Sequence, residues 1–181
     1  MSITLCNQTQ AVAQYIVKKG DQIIARIPGI EPNAQMIIPT NEIFEVVATT
    51  VIDGNTYKSR PETVKGSMGF LAQILQVPEQ GTYEFDVQTK LSKKPNTLEF
   101  QKTCLGSVTF SITKDSKPLQ HVVVDDNFTA QFVDISDTFY VYAVINGVTT
   151  AVSKFSNPSA TVTALTNNSD LEYGYYNLQI N

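Results

Sequence analysis

The amino-acid sequence predicts an all-β protein, a duplicated antiparallel β-sandwich with two similar halves in tandem. Three observations favour this fold class: apolar residues alternate with a period of two, one strand–turn unit occurs twice, and turn residues recur at short intervals. Hydrophobic residues make up 42% of the 181 positions, which is enough for a packed core.

The repeated unit is a strand that ends in a tight turn. Residues 139–145 alternate between two faces, and Asn146-Gly147 follows them. Residues 44–52 show the same pattern and are followed by Asp53-Gly54. Because Asn-Gly and Asp-Gly accept positive φ at both centres of a two-residue turn, both units are predicted to be hairpins.

The other elements of the first half are expected to be short strands at residues 3–5, 10–19, 22–26, 36–38, 55–59, 68–77 and 82–89. Residues 27–33 contain two prolines and a glycine and are predicted to form an ordered loop. Residues 68–77 have apolar spacing that also fits a helix, but the flanking Gly69 and Pro78 favour a strand.

Strands of the second half are expected at residues 107–113, 120–125, 128–133, 138–145, 148–155, 160–165 and 171–180. The predicted domains are a first half at residues 1–89, a connector at 90–106 and a second half at 107–181. Three matches in the same order favour duplication. Ser2–Leu5 matches Ser107–Phe110 at an offset of 105, and Val51–Gly54 matches Val144–Gly147 and Gly81–Val87 matches Gly174–Ile180 at an offset of 93. The change of offset predicts extra residues in the 27–33 loop of the first half.

The segment 139–163 resembles the last hairpin of bacterial immunoglobulin-like domains. The similarity lies in Val148-Thr149 after the Asn-Gly turn, Ser153-x-x-Ser156, and Thr161-Val162-Thr163. The resemblance covers about 25 residues. It implies immunoglobulin-like halves and no particular ligand.

Composition excludes some classes of function. Charged residues make up 17%, and the formal net charge is −4, with no basic stripe, so binding to nucleic acid is not expected. No segment has the run of about 18 apolar residues that a membrane span needs, so no membrane insertion is expected. The N-terminal residues lack a basic and apolar leader, so we expect synthesis in the cytoplasm without a signal peptide. Cys6 and Cys104 are therefore expected to be free thiols.

No catalytic or cofactor motif is present. The single histidine, His121, lies in a strand pattern and is expected to be a half-buried strand residue without a nucleophile partner. The sequence has no phosphate-binding loop, zinc spacing or EF-hand loop. The protein is therefore predicted not to be an enzyme and to need no cofactor.

Four acidic residues are a candidate calcium site: Asp125, Asp126, Asp134 and Asp137, to which Asn127 could add an oxygen. The favoured interpretation is that these acids lie in solvent near strand ends and bind no metal.

Tyrosine placement carries the binding prediction. The predicted binding residues are Tyr140, Tyr142, Tyr173 and Tyr175, on one strand face of the second half. The aligned first half has polar residues at several of these positions, for example Glu45 opposite Tyr140. Tyrosine is favoured at contact surfaces because it is amphipathic and rigid. Two interpretations stay open here: contact with the first half, and contact with a partner.

The function predicted from these observations is a non-enzymatic structural protein that acts by surface contact. Its favoured setting is a component of a larger assembly, such as a virion, a filament or an intracellular protein lattice, with a protein partner or self-association. The alternative is a lectin-like carbohydrate-binding module that stacks sugars on the same tyrosines.

Overall fold

The computed structural model describes residues 1–168 and 175–181. These residues form 18 strands and no helix: β1 (Ser2–Asn7), β2 (Ala13–Lys19), β3 (Gln22–Ile30), β4 (Gln35–Pro39), β5 (Glu45–Ile52), β6 (Asn55–Lys58), β7 (Glu62–Thr63), β8 (Met68–Val77), β9 (Thr82–Leu91), β10 (Thr97–Lys102), β11 (Val108–Lys114), β12 (Lys117–Val124), β13 (Gln131–Asp134), β14 (Phe139–Ile145), β15 (Val148–Thr149), β16 (Ser153–Phe155), β17 (Thr161–Thr166) and β18 (Tyr176–Ile180). The prediction of an all-β protein is confirmed. None of the described segments forms an apolar helix of membrane-spanning length.

The chain divides into two compact units, and one is inserted into the other. Unit 1 consists of Met1–Glu42 and Ser136–Asn181, and unit 2 is the continuous segment Ile43–Ile135. This division does not follow the predicted boundaries at residues 89 and 107. Each unit instead combines strands from both predicted halves.

Unit 1 contains two sheets. One has the strand order β18-β17-β1-β4, and β1 runs parallel to β17. The other has the order β15-β14-β2-β3, with the short β16 also pairing β14. Inward residues of both sheets are buried, including Ile3, Leu5, Tyr15, Val17, Val141, Ala143 and Val162.

Unit 2 repeats this arrangement strand for strand. Its sheets have the orders β9-β8-β10-β13 and β6-β5-β11-β12, with β7 also pairing β5. The parallel pair of this unit is β8 with β10. Thus β10 to β13 of unit 2 occupy the places of β1 to β4 in unit 1, and β5 to β9 those of β14 to β18.

The core of unit 2 is more aromatic than that of unit 1. The ring centroid of Phe100 lies 5.5 Å from that of Phe70 and 5.0 Å from that of Phe110. The places of Phe100 and Phe110 are taken in unit 1 by Leu5 and Tyr15, as the strand registers show.

Both predicted hairpins are confirmed. Asp53 and Gly54 have φ of 50° and 79°, and Asn146 and Gly147 have 49° and 76°. The residues turn β5 into β6 and β14 into β15. The strand predicted at residues 68–77 is confirmed as β8.

Two local predictions are wrong. The expected loop at residues 27–33 is strand up to Ile30, because β3 is an edge strand and Pro28 needs no ladder partner on the open side. The expected connector contains β10, a central strand whose Leu98 and Phe100 are fully buried.

The alignment at offset 105 is also wrong, and the alignment at 93 joins equivalent turns but not equivalent strand positions. Ala143 is opposite Tyr15 and hydrogen-bonded to Thr150, as Ala48 is opposite Phe110 and hydrogen-bonded to Ser59, so β14 corresponds to β5 at an offset of 95. Ser2–Leu5 belongs to β1, which pairs β17 and β4, but Ser107–Phe110 leads into β11, which pairs β5 and β12. By pairing, β1 corresponds to β10 and β2 to β11. With this correspondence, the first half has no extra residues in the 27–33 loop.

Candidate functional site

The structure brings together two of the four predicted binding tyrosines. Tyr140 and Tyr142 lie two residues apart on β14, half-buried, while their neighbours Phe139 and Val141 point into the core. Tyr175 is 57% exposed and precedes β18, which belongs to the other sheet of unit 1. Tyr173 lies outside the described residues. The four tyrosines therefore do not form the single strand face that was predicted.

Cross-strand pairing assembles the surface around Tyr140 and Tyr142. Tyr140 is opposite Lys18 on β2 and Lys154 on β16. Tyr142 is opposite Ile16, which is opposite Arg26 on β3. Paired residues lie on the same side of a sheet. We call this surface the tyrosine face: Ile16, Lys18, Arg26, Tyr140, Tyr142 and Lys154.

Cations flank Tyr140 on both sides within one cross-strand row. The Lys154 Nζ lies 5.9 Å from the centroid of the Tyr140 ring, within the range of a cation–π contact. Lys18 is half-buried and Lys154 is exposed, so both ammonium groups stand at the surface.

A buried tyrosine supports this face from below. Tyr15, between Gln14 and Ile16 on β2, is fully buried, and its hydroxyl donates a 2.7 Å hydrogen bond to the Cys6 carbonyl. Burial raises the pKa of the Tyr15 phenol well above its usual range. The Cys6 carbonyl belongs to β1, so this bond ties the two sheets of unit 1 together and holds β2 in place.

The tyrosine face continues along the strands into an open depression. The next row is Val144 opposite Gln14, and beyond it lies the Asn146-Gly147 turn. These residues, with Ala11 and Val12, line a volume of about 410 Å³. The depression offers amide donors and acceptors next to an aromatic and cationic strip.

The equivalent face of unit 2 has different chemistry. Glu45 and Val47 of β5 occupy the places of Tyr140 and Tyr142, and Ser111, Thr113 and His121 those of Ile16, Lys18 and Arg26. This face is a groove of about 260 Å³, lined by Glu45, Val47, Thr49, Lys58, Pro61, Ser111, Thr113, Ser116, Pro118 and His121.

His121 differs from its prediction: it is exposed, and it has a hydroxyl partner. The Ser111 Oγ and the His121 Nδ1 are hydrogen-bonded at 2.9 Å, because the two residues are opposite each other on β11 and β12. A nucleophile–base pair also needs a third group that orients the base. The acid of this groove, Glu45, lies on β5, two strand spacings or about 10 Å across the sheet from β12.

The candidate calcium ligands have separate partners. Asp126 accepts hydrogen bonds from the Phe128 amide and the Thr129 hydroxyl, at 2.7 and 3.1 Å. Asp125 accepts one from the Ser107 hydroxyl, and Asp137 pairs with Lys19 at 2.8 Å. Over residues 1–168 and 175–181, no three His, Cys, Asp or Glu side chains are grouped so that they could hold a metal ion.

Both cysteines are free, as predicted. Cys6 is half-buried on β1, and Cys104 is buried after β10. Burial raises the pKa of the Cys104 thiol, which lowers its thiolate fraction and hence its reactivity at neutral pH.

Sequence reasoning missed two buried charges on β10. Glu99 is fully buried, with the ammonium groups of Lys90 and Lys93 at 3.7 and 3.9 Å from its Oε1. Lys102 is 3% exposed and donates hydrogen bonds to the Cys104 carbonyl and the Asn127 side chain. Because β10 was assigned to the connector, its inward positions were not identified.

No protein-family model, curated protein or solved structure matches this chain.

Proposed function

We propose that this chain is a non-enzymatic protein that acts by surface contact, and that the tyrosine face of unit 1 is its contact surface. The observation that carries the proposal is the difference between two faces with the same strand pairing. At the places where unit 2 has Glu45 and Val47, unit 1 has Tyr140 and Tyr142. An outward position on a stable sheet does not need an aromatic ring, so the exchange favours a role in contact.

Burial of the two tyrosine rings against a partner supplies enough free energy for binding. Complete burial of a large apolar side chain is worth roughly 1.5–3 kcal/mol by area. Tyrosine and arginine are also enriched among the residues that dominate interface energies. Tyr140 and Tyr142 are half-buried in the chain itself, so part of each ring remains available to a partner.

The favoured partner in this proposal is a protein or a second copy of the chain, within a larger assembly such as a virion, filament or lattice. Low charge supports this setting, since only 17% of residues are charged. A specific observation supports a second candidate, carbohydrate binding. Gln14 and Asn146 line a depression beside the tyrosine face, and amides are suitable partners for sugar hydroxyls.

The test is a double variant with a matched control. Tyr140→Ser with Tyr142→Ser removes the rings, and Glu45→Ser with Thr49→Ser changes outward positions of β5 in unit 2. Light scattering at two protein concentrations reports assembly, and thermal melting reports stability. We expect the first variant to lose concentration-dependent assembly while the control keeps it.

Other results contradict the proposal. If the tyrosine variant assembles like the parent, these rings make no contact. If it melts far below the control, the face contributes to the stability of unit 1 rather than to partner binding. If the parent is monomeric at both concentrations, self-association is excluded as the mode of contact.

We also infer that the fold arose by duplication of an immunoglobulin-like sandwich whose repeats exchanged strands. The pairing supports this: β1 to β9 and β10 to β18 follow the same order, and each unit takes four strands from one series and five from the other.

A protease site inserted at residues 93–96, between β9 and β10, tests the exchange. We expect the cleaved chain to elute at its original size and to separate only in denaturant, because each unit needs both pieces. Separation of the pieces under native conditions would contradict the inference.

A further inference from the structure

Positive charge in unit 1 is concentrated on the tyrosine face. The Lys and Arg residues of this unit are Lys18, Lys19, Arg26 and Lys154. Lys19 pairs with Asp137 at 2.8 Å, and the other three all belong to the tyrosine face. The whole chain has a net charge of −4, so this face is a local positive area on an acidic protein.

The cations and the rings are arranged in two adjacent rows. Lys154, Tyr140 and Lys18 form one row, and Tyr142, Ile16 and Arg26 form the next. Strands in a sheet are about 4.8 Å apart, and rows on one face are about 6.8 Å apart. A ligand that lies on the Tyr140 ring therefore has a lysine on each side, Lys154 and Lys18.

The tyrosine face by itself is smaller than a stable protein–protein interface. A stable protein interface uses about 20–30 residues on each side. The tyrosine face has six residues, and the depression that continues it adds Gln14, Val144 and the Asn146-Gly147 turn. A surface of this extent fits a short length of a linear polymer, whereas a protein partner would also contact residues beyond it.

The chemistry specifies which polymer fits. A pyranose ring presents apolar C–H groups that stack on tyrosine, and its hydroxyls suit the amides of Gln14 and Asn146. The ammonium groups of Lys18 and Lys154 suit carboxylates placed beside the ring. Uronic-acid units combine all these groups.

We propose that the tyrosine face binds an acidic polysaccharide built of uronic-acid units. The inference rests on the second candidate of the proposed function, carbohydrate binding, and assigns a ligand class to the same contact surface. Sugar rings stack on Tyr140 and Tyr142, and carboxylates pair with Lys18 and Lys154.

Affinity electrophoresis with four polymers in the gel tests this. The polymers are polygalacturonate, its methyl ester, dextran and poly-L-glutamate. We expect polygalacturonate to retard the protein and the methyl ester to bind about tenfold more weakly, the equivalent of one lost charge-assisted hydrogen bond. Added salt should reduce the retardation by polygalacturonate.

Two variants with the same change of net charge complete the design. Lys18→Gln with Lys154→Gln should lose the preference for the acid over its ester. Lys58→Gln with Lys117→Gln changes exposed lysines of unit 2 and should keep it.

Several results would overturn the inference. Equal retardation by the acid, its ester and dextran means that charge plays no part, although contact at the tyrosines would stand. Equal retardation by poly-L-glutamate means that the face reads charge alone and fits an acidic protein. Retardation by none of the polymers removes the polysaccharide, while light scattering of the Tyr140→Ser, Tyr142→Ser variant still decides the proposed function separately.

Discussion

Strands β14 and β5 pair with equivalent neighbours in the two units, but the side chains on their outward faces differ in chemistry. In unit 1 the face carries Tyr142 and, between two lysines, Tyr140, and in unit 2 it carries Glu45 and a groove with a Ser111–His121 pair. The inward residues of the same strands stay apolar, for example Val141 and Ala143 against Val46 and Ala48. The inward side chains of each strand thus maintain the fold, and the outward side chains are available for a separate role.

The largest expected effect comes from a buried position that the two units fill differently. Asn7 is fully buried, and its side chain amide donates 2.8 Å hydrogen bonds to the Ala11 and Ile30 carbonyls and accepts from Thr9. At the place of Asn7, unit 2 has Lys102. We expect Asn7→Ala to lower the free energy of unfolding by about 3 kcal/mol, because several buried polar groups lose their partners.

Lys102→Met should cost about 1 kcal/mol or less, since it removes the buried charge and keeps the volume. Chemical denaturation of both variants measures the difference. Equal losses of unfolding free energy would mean that the buried side chains of Asn7 and Lys102 contribute equally to stability.

Exchanging the two faces is expected to move the contact surface between units. Tyr140→Glu with Tyr142→Val gives unit 1 the residues of unit 2, and Glu45→Tyr with Val47→Tyr does the reverse. Val47 is 8% exposed, so we expect a stability loss of about 1–3 kcal/mol from overpacking. Light scattering should show that the first pair abolishes assembly and that the four substitutions together restore it in part.

A folded four-substitution variant that fails to restore assembly would show that the tyrosines alone do not distinguish the faces. The flanking lysines of unit 1 would then be the deciding residues.

Alkaline pH should lower the stability of unit 1 but not that of unit 2, because the place of Tyr15 is taken in unit 2 by Phe110. Burial raises the pKa of Tyr15, whereas an unfolded tyrosine ionises near pH 10. Above that pH the folded state holds the proton that the unfolded state releases, so stability falls by up to about 1.4 kcal/mol per pH unit.

Tyr15→Phe removes this sensitivity and costs about 1 kcal/mol at pH 7 for the lost hydrogen bond. Denaturant midpoints of parent and variant at pH 7 and pH 11 measure both terms. Tyr57→Phe, at a partly exposed position of β6, is the control. A parent-like decline in the variant would contradict the assignment to Tyr15.

The smallest expected effect is at the Lys19–Asp137 pair. The Asp137 side chain is 88% exposed, so solvent screens the interaction. We expect Asp137→Asn to change stability by less than about 0.5 kcal/mol. A larger loss in thermal melting, persisting in high salt, would show that this pair does more than join two strand ends.

The sequence was sufficient where structure depends on local chemistry. The hairpins at Asp53-Gly54 and Asn146-Gly147 follow from residues that tolerate positive φ, and β8 follows from a strand pattern flanked by Gly69 and Pro78. The free thiols were predicted from the reducing conditions expected at the site of synthesis.

Sequence reasoning failed where structure depends on distant partners. Strand β10 was not predicted because it contains two charged residues, of which Lys102 shares the inward side of Leu98 and Phe100 and Glu99 is buried on the other side under Lys90 and Lys93. The membership of β1 in a sheet with β17 depends on a parallel pair between strands far apart in the chain, which no local pattern reveals. For the same reason, Tyr175 was predicted to share a strand face with Tyr140, although it precedes β18, which belongs to the other sheet of unit 1.

Because the sequence of unit 2 is inserted into that of unit 1, the two units can be completed only in one order as the chain leaves the ribosome. All strands of unit 2 lie within Ile43–Ile135, so this unit can close as soon as Ile135 has emerged. Strands β1 and β2 emerge first but wait for β17 and β14, their partners from the last quarter of translation. Their open edges need protection from neighbouring nascent chains during that interval. A product that stops before β14 therefore contains one complete unit and two incomplete sheets, β1 with β4 and β2 with β3, each with an unpaired edge.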